Sequence, residues 1–412
     1  MKTFTLTFIA FLLLECFNVA PAQGQGPTPA QLIAFSCQGQ GFIKNCRSGA
    51  HPGTVIQASD GNFYGVTLAS TVGTSNGQGG SVFRVTPSGK FTLLHTFVPG
   101  KNNTFPGGSQ PGPLAEGKDG NLYGTTFAGG GGDVGVLYRV AKDGTGFKVL
   151  HSFCSAANCA DGSFATGVTA GLDGNIYGAT SQGGTRKTGC TFSTGCGAIF
   201  KFTTGNSSYK VLHSFGGNDG FQPTGFIQAS DGNFYGADVG SNTDGNIFRI
   251  TPSGNFSIVI TIPQLVLPIT PVVQGRNGNL FGLTGVANGN IPGLFEVALD
   301  GSNFQQFPPP TLPVGLNLVQ LLSASDGNFW ATTTNGGDNN DGMMVQLSSE
   351  DGSVLQTISF DGKNGQYPES PLIQAVDGKI VGTTSNGGVV TSGTEEGVVF
   401  TLDLGLPSPG RN

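Results

Sequence analysis

Short apolar runs alternate with glycine-rich turns along almost the whole chain of 412 residues. The most regular segment is Asp-Gly-Asn followed by apolar residues and a glycine, as in residues 60–65. Asp-Gly between two apolar runs is a strong signal for a tight hairpin, because glycine adopts the positive φ that such turns need. Related segments recur 46 to 59 residues apart, beginning at Asp119, Asp173, Asp231, Asn277, Asp326 and Asp377. The pattern predicts seven copies of one unit.

Each unit resolves into four short strands, which are clearest in the fourth copy. We predict strand a at 226–230, strand b at 233–237, strand c at 246–251 and strand d at 256–262. Four antiparallel strands in a unit of this length are typical of one blade of a β-propeller. The sequence therefore predicts an all-β protein, a seven-bladed β-propeller with four-stranded blades.

The two ends of the chain indicate how the ring closes. The seventh unit contains strands a, b and c at 372–376, 380–384 and 398–403, with no strand d after them. Residues 31–37 resemble residues 148–154, which form strand d of the second unit. We therefore expect the N-terminal strand to complete the last blade, which favours a closed ring over an open solenoid.

The first residues have the pattern of a secretory signal peptide. A positive residue precedes an apolar stretch at 4–14, and Ala20 and Ala22 have the spacing of a cleavage site. A lipoprotein signal at Cys16 is the alternative, but Glu15 stands where such signals have a small residue. We expect four segments: a signal peptide at 1–22, a short linker at 23–30, the propeller at 31–404 and a C-terminal tail at 405–412.

Composition narrows the class of protein. The 70 glycines have no three-residue period, which excludes collagen, and the 31 phenylalanines argue against disorder. The net charge is −6 and no basic run occurs, so we expect no nucleic-acid partner. No later stretch approaches the ~18–20 apolar residues that span a bilayer, so we expect no membrane association after signal cleavage. We predict a monomer that is secreted to the extracellular space, with the periplasm as the alternative.

Six cysteines remain beyond the signal peptide, and their spacing suggests three local pairs. In an oxidising compartment disulfides are the expected state of such pairs. Zinc ligation is the alternative, but His151 is the histidine nearest to any of them in sequence. The predicted disulfides are Cys37–Cys46, Cys154–Cys159 and Cys190–Cys196.

A propeller of this kind has two unlike faces. The a–b and c–d connections are short and share one face, the turn face, which we expect to be plain. The b–c connections and the links between blades are longer and share the other, the loop face. Loops on a rigid scaffold carry most binding residues, so we place any function there. Our loop-face candidates are His51, Asp161, Asp219, Glu395 and Glu396.

Calcium is the one ion that these carboxylates would suit, although solvated charge is the commoner role for such residues. We expect no other cofactor, and we identify no metal ligand. His95, His151 and His213 recur at one position of strand d in successive units, which indicates packing or hydrogen bonding rather than catalysis.

The third position of strand a is expected to line the central channel. Its residues form a polar ring with one carboxylate, and Ala170 is the member in the third unit. Such a ring is either solvated structure or a site for a polar ligand, and the sequence leaves both interpretations open. The channel-lining candidates are Gln57, Glu116, Gln228, Gln274, Ser323 and Gln374.

The repeats resemble those of a known family. Residues 119–126 and 135–140, with Gly129-Gly130 between them, closely resemble the GloVer repeat of exported bacterial proteins. The resemblance covers essentially the whole mature chain and implies an extracellular or surface tandem-repeat protein whose activity is not established. Many relatives carry a C-terminal sorting anchor, which the tail at 405–412 lacks, so we expect release rather than attachment.

Two functions are consistent with these observations. The first is a non-catalytic binding or interaction module that recognises a polysaccharide, an envelope component or a protein through the loop face. The alternative is a metal-dependent lactonase, lyase or hydrolase, because residues 326–330 are weakly similar to propeller enzymes such as gluconolactonase. That chemistry needs at least three acidic or histidine side chains converging at the channel mouth. We identify no catalytic residue, since strand a has almost none of these.

Overall fold

The structure is a computed structural model. It describes residues 26–38, 46, 49–69, 79–185, 189–190, 193–239, 244–262, 266–268, 270–286, 293–308, 310, 312 and 318–409. The predicted signal peptide at 1–22 and the first three linker residues lie outside the described residues. No helix in the part of the chain that the structure describes is long and apolar enough to cross a membrane.

Seven antiparallel sheets form a ring, and each sheet is one blade of a seven-bladed β-propeller. The N-terminal strand β1 is Ala30–Cys37. Blades 1 to 3 comprise β2 (Ala50–Gln57), β3 (Phe63–Ala69), β4 (Ser81–Val85), β5 (Phe91–Thr96); β6 (Ser109–Glu116), β7 (Leu122–Ala128), β8 (Val136–Val140), β9 (Lys148–Ser152); and β10 (Ser163–Ala170), β11 (Ile176–Gln182), β12 (Ala198–Thr203), β13 (Ser208–Ser214). Single-turn 3₁₀ helices in the links after these blades are Lys101–Asn103, Ala157–Cys159 and Gly217–Asp219.

The remaining blades follow the same order, with the first strand innermost. They comprise β14 (Phe226–Gln228), β15 (Phe234–Val239), β16 (Gly245–Ile250), β17 (Phe256–Ile262); β18 (Val266–Pro268), β19 (Val273–Gln274), β20 (Leu280–Val286), β21 (Gly293–Val297), β22 (Gln305–Gln306); β23 (Leu322–Ser323), β24 (Phe329–Thr333), β25 (Met343–Leu347), β26 (Val354–Ser359); and β27 (Ile373–Gln374), β28 (Ile380–Thr384), β29 (Thr394–Leu402). Blade 5 departs from the predicted four strands, because its innermost strand is interrupted and both pieces, β18 and β19, pair with β20.

The N-terminal strand closes the ring, as the sequence predicts. Strand β1 pairs antiparallel with β29 of blade 7, with Ala34 opposite Val398, and is the outermost strand of that sheet. Phe35 is fully buried and its ring lies 5.1 Å from that of Phe83 in blade 1. The strand therefore joins the last blade to the first.

The hydrophobic core is divided among the seven junctions between blades, each of which has its own cluster of buried side chains. The middle strands are buried on both faces because every blade packs between two neighbours, and β25 has all five residues buried. Close packing within a blade explains the glycine of the repeat. A Cβ on Gly65 would lie 2.5 Å from the Phe83 ring.

The Asp-Gly-Asn segments form the a–b turns, as their composition predicts. In blade 1 the Asp60 carboxylate accepts hydrogen bonds from the backbone N–H and side-chain amide of Asn62 and from the Tyr64 hydroxyl, at 2.8–3.2 Å. Gly61 has a φ of 80°. Burial and the adjacent Asp60 carboxylate raise the pKa of Tyr64 to about 12. These residues are committed to the turn.

The turn face is less plain than expected, because the C-terminal segment crosses it. The carbonyl oxygen of Pro407 accepts hydrogen bonds from the Ser325 hydroxyl at 2.6 Å and from Gln374 Nε2 at 3.2 Å. Leu404 and Leu406 pack against the cluster between blades 6 and 7. The tail predicted at 405–412 is therefore anchored across two blades in its described part, near the mouth of the channel.

Candidate functional site at the loop face

All three predicted disulfides are present, and all lie at the loop face. Cys37–Cys46 joins the end of β1 to the segment that precedes blade 1, and Cys154–Cys159 closes the link between blades 2 and 3. Cys190–Cys196 closes the b–c loop of blade 3. Local cross-links restrict the conformations of the segments that they close. They hold these loops in place on the scaffold.

In five blades, a residue at the loop-face end of the innermost strand, or in the segment that leads into it, lies in the left-handed region. Each follows a glycine by two positions, and four precede a proline. For residues other than glycine this conformation costs about 1–2 kcal/mol. The φ values lie between 52° and 56° at His51, Gln110, Phe164, Gln222 and Tyr367, which we term the entry ring.

In four blades the backbone of the entry ring links the blade to the preceding one. The N–H of Gln110 donates to Gly79 O at 2.9 Å, and that of Gln222 donates to Cys196 O at 2.8 Å. Phe164 and Tyr367 make the equivalent bonds at 2.9 Å to the b–c loops of blades 2 and 6. These bonds account for the backbone conformation, but not for the choice of side chain, since glycine or asparagine would adopt it at lower cost.

Every side chain of the entry ring is large and planar: imidazole, amide or aromatic. Gln110 is exposed and the other four are partly exposed. The Phe164 ring lies 5.0 Å from that of Phe127, the penultimate residue of β7 at the same face, which is 49% exposed. Leu68 occupies the equivalent place in β3 and is 47% exposed. The loop-face mouth of the channel therefore presents both apolar surface and hydrogen-bonding groups.

Among the sequence candidates, His51 lies in this ring at the seam between blades 1 and 7. Its Nδ1 donates to Ser385 O at 2.9 Å, and its Nε2 lies 3.8 Å from Glu396 Oε2. The two glutamate candidates, Glu395 and Glu396, belong to strand β29 rather than to a loop. Glu396 is buried and accepts the Thr394 hydroxyl, and only Glu395 is exposed.

Asp161 is neither a solvated charge nor a surface calcium ligand, contrary to the interpretation of the sequence. It is 7% exposed, and its carboxylate accepts hydrogen bonds from His151 Nε2 at 2.9 Å and from Ser155 and Ala156 at 2.7–3.2 Å. Asp219 has the same role one blade later, with Oδ2 3.1 Å from His213 Nε2. Asp161 is thus buried and Asp219 half-buried, each beside a histidine of the preceding strand.

The three recurring histidines pack at the outer rim, as their repetition predicts. His95, His151 and His213 stack at 3.6–3.8 Å on the rings of Phe147, Tyr209 and Phe256, which belong to the following blade. Burial lowers the pKa of His95 to about 4. It also lowers the pKa of His151, against the opposing effect of Asp161. These imidazoles join neighbouring blades.

The channel-lining candidates lie at the turn-face end of the channel and also join blades. Gln228 donates from Nε2 to Gly232 O of its own turn at 2.7 Å, and its Oε1 accepts the N–H of Leu172 in the preceding blade at 2.7 Å. Gln57, Gln274 and Gln374 make the same two bonds at their junctions. Their amides are therefore occupied by structure, which favours the structural interpretation of the polar ring.

Glu116 replaces the glutamine in blade 2. Its carboxylate accepts the N–H and hydroxyl of Ser59 at 2.6 Å each, and it forms an ion pair with Lys142. Ala170 and Ser323 are the two members too short to span a junction.

Between its mouths the channel is narrow and mainly apolar. The cavity inside it measures about 280 Å³, and its lining includes Thr54, Pro113, Gly167, Pro271, Gln320 and Pro371. Nowhere in the described part of the chain do three histidine, cysteine, aspartate or glutamate side chains come together in a group that could hold a metal ion.

Of the entry ring, only His51 was among the sequence candidates, although a signal for the other members was present. The segments Gly-Ala-His-Pro at 49–52 and Gly-Ser-Gln-Pro at 108–111 recur at equal distances before strand b. A bulky residue between glycine and proline at one position of several units marks a special backbone conformation.

Solved structures of similar fold confirm the architecture. PorZ, a bacterial surface component of the type-IX secretion system of Porphyromonas gingivalis, has a TM-score of 0.56 and 13% identity over 90% of this chain, which spans about half (48%) of PorZ. Hydrazine synthase of Kuenenia stuttgartiensis has a TM-score of 0.56 and 13% identity over 88% of this chain and 96% of its own. A gluconolactonase of Xanthomonas campestris has 16% identity over 73% of this chain and 86% of its own, and its TM-score of 0.41 supports no inference.

At these identities the similarity concerns the fold alone. No curated protein matches the chain in sequence. The family model of the Gloeobacter/Verrucomicrobia repeat matches residues 51–265 and 240–406, which together cover most of the chain. The chain therefore belongs to the Gloeobacter/Verrucomicrobia (GloVer) repeat family, with its repeats closed into a seven-bladed propeller.

Proposed function

We propose that this protein is a secreted binding module that recognises a glycan through the entry ring on its loop face. The observation that carries the proposal is the choice of side chains at five left-handed positions. A conformation that disfavours bulky residues nevertheless holds imidazole, amide and aromatic groups, and strained backbone recurs at sites of function.

The chemistry of the ring suits a sugar. Aromatic faces such as those of Phe164 and Tyr367 pack against the C–H surface of a pyranose, while the amides of Gln110 and Gln222 can both donate to and accept from hydroxyls. Exposed Phe127 extends the apolar part of the surface. The ring offers no cluster of charge, which favours a neutral ligand over a strongly charged one.

Secretion is the second element of the proposal. Three disulfides support it, because such bonds persist in oxidising compartments. The signal-peptide pattern at 1–22 agrees with it. N-terminal sequencing of protein recovered from the medium of an expressing bacterium tests this part: a mature terminus at Gln23 is expected, and retention in the cytoplasm with reduced cysteines would contradict it.

Binding is tested with the mature protein against a panel of neutral polysaccharides by affinity electrophoresis. The double variant Phe164→Ala/Tyr367→Ala should reduce retardation at least about tenfold, as loss of hot-spot contacts does. Leu172→Ala is the matched control, because this apolar residue is 68% exposed on the turn face. A ligand that binds the double variant as well as the wild type would exclude the entry ring, and no retardation by any polysaccharide would exclude glycan recognition.

A further inference from the structure

On the turn face, the channel opens into a second cavity, distinct from the loop-face site. It measures about 450 Å³, within the usual size range of small-molecule sites, and lies among blades 4 to 7. Its lining includes Ser230, Gln274, Arg276, Ser323, Ser325 and Gln374, and Pro409 of the C-terminal segment forms part of its wall.

The repeat shows what this cavity lacks. At five junctions the residue at the third position of the innermost strand supplies a side-chain oxygen that accepts an N–H from the preceding blade. In that preceding blade, the donor lies two residues after the blade's own third-position residue. At the junction of blades 5 and 6 the third position is Ser323, whose side chain is too short for this bond. The N–H of Arg276 consequently has no acceptor among the described residues.

The junction of blades 2 and 3 has the same deficiency and a different solution. There Ala170 replaces the glutamine, and the Lys118 side chain crosses the junction and donates to Leu172 O. Arg276 occupies the position of Lys118 and extends in the same direction, with its Cδ 3.7 Å from where a Cβ on Gly327 would be. Its guanidinium, however, has no hydrogen bond or ion pair with any residue that the structure describes.

Nearby carboxylates do not neutralise this arginine, because they are bound elsewhere. Asp326 accepts the N–H of Asn328 and the amide of Gln346 at 2.7–3.0 Å. Glu296 accepts three side-chain amides at 2.6–2.7 Å. Among the described residues that line the cavity, none is an anion that could pair with the guanidinium.

The unused groups of the cavity are donors. These groups are the guanidinium and backbone N–H of Arg276 and the hydroxyls of Ser323 and Ser230. Ser230 Oγ accepts a hydrogen bond from Gln274 and keeps its own proton to donate. The amides of Gln274 and Gln374 are engaged in the ring. A ligand for this set must supply acceptors, and a carboxylate pairs with a guanidinium through two parallel charge-assisted hydrogen bonds.

We propose that this cavity binds a sugar acid, with its carboxylate on Arg276 where a glutamine oxygen lies at other junctions and its hydroxyls on Ser230 and Ser323. The size of the cavity and its hydroxyl lining favour a hydroxylated ring over a simple carboxylate. The proposal does not depend on the loop-face site, which lies at the opposite end of the channel.

Calorimetric titration of the mature protein with D-galacturonate tests the proposal, with D-galactose as the uncharged probe and sulfate as the simple anion. Galacturonate should bind at least about tenfold more tightly than galactose, because a hydrogen-bonded charge is lost in the latter. Equal binding of galactose, or sulfate binding as tight as that of galacturonate, would overturn the assignment of a sugar acid.

Two variants locate the site. Ser323→Gln should restore the missing bond between blades 5 and 6, occupy the place of the ligand carboxylate and weaken galacturonate binding at least about tenfold. Arg276→Gln should weaken galacturonate binding to a similar degree, because it removes the cation. Ala170→Gln is the matched control, since it places the same side chain at the junction of blades 2 and 3. The proposal would be refuted if Ser323→Gln or Arg276→Gln bound galacturonate as tightly as the wild type, or if Ala170→Gln weakened binding as much as they do. The loop-face variant Phe164→Ala/Tyr367→Ala should bind galacturonate normally, which separates this proposal from the proposed function.

Discussion

Ring closure by β1 makes a quantitative prediction for Phe35. This residue is fully buried in the cluster between blades 7 and 1, where its ring contacts Phe83 at 5.1 Å and Phe91 at 5.7 Å. Phe35→Ala removes this packing and leaves a cavity that the flanking blades cannot close. Buried Phe→Ala substitutions cost about 3–5 kcal/mol, so the unfolding equilibrium constant should rise by about 10²–10⁴.

Phe153 is the matched control, because it follows strand d of blade 2 as Phe35 lies near the end of β1, and it is equally buried. Phe153→Ala should cost the same about 3–5 kcal/mol but opens no seam. Urea denaturation followed by tryptophan fluorescence gives the free energy of unfolding of both variants. The single tryptophan, Trp330, is fully buried.

Hydrogen exchange separates the local from the global effect. Strand β1 is held by β29 alone in its sheet, so Phe35→Ala should speed exchange in β1 and β29 selectively, whereas Phe153→Ala should not. Closure by the N-terminal strand would be refuted if Phe35→Ala lowered the free energy of unfolding by less than about 1 kcal/mol while Phe153→Ala lowered it by the expected amount.

Three further substitutions test other features. Asp238 is buried with Oδ1 on Asn246 and Oδ2 lacking a partner among the described residues, and burial raises its pKa. A raised carboxyl pKa means that stability is lost as pH rises through the folded-state pKa. Threonine occupies this position in the other six blades, so Asp238→Thr should raise the free energy of unfolding by about 1–3 kcal/mol at pH 8 and by little at pH 4, measured by urea titration. Gln228→Ala should cost about 1–2 kcal/mol in the same assay through loss of two junction bonds, and no change would deny that role. Gln222→Gly should raise the free energy of unfolding by about 0.5–1 kcal/mol by relieving the left-handed strain, and a loss of stability would show that the conformation carries no strain.

The blades, the order of their strands and the three disulfides could be predicted from the sequence because the signals are local. Asp-Gly turns depend on adjacent residues, and cysteines five to nine residues apart can meet without knowledge of the fold. The closing strand was also predictable, since residues 31–37 resemble strand d and the seventh unit needs one.

Contacts between blades were not predictable from single units. Asp161 and Asp219 lie in links that appear exposed from the sequence, but the fold pairs each of them with a histidine of the preceding strand. Blade 5 is a further example: Asn277 replaces the turn aspartate, and Glu296, 19 residues later, accepts the amides of Asn277 and Asn279 at 2.7 Å. In blade 5 the carboxylate that binds the turn amides belongs to the neighbouring strand β21, and only the pairing of β20 with β21 shows that it lies beside this turn.

The sequence by itself determined the repeating unit, the number of blades and the partner of the terminal strand, because each depends on short-range turn chemistry and on counting. The tertiary structure decided what the repeated positions do. It turned the polar ring of the channel into bonds between blades and the rim histidines into stacking partners. It also brought Arg276 and Ser323, 47 residues apart, to the one described junction that is completed neither by a glutamine or glutamate oxygen nor by a crossing lysine. Such roles follow from which blades are neighbours, and adjacency around a closed ring is not a property of any local segment.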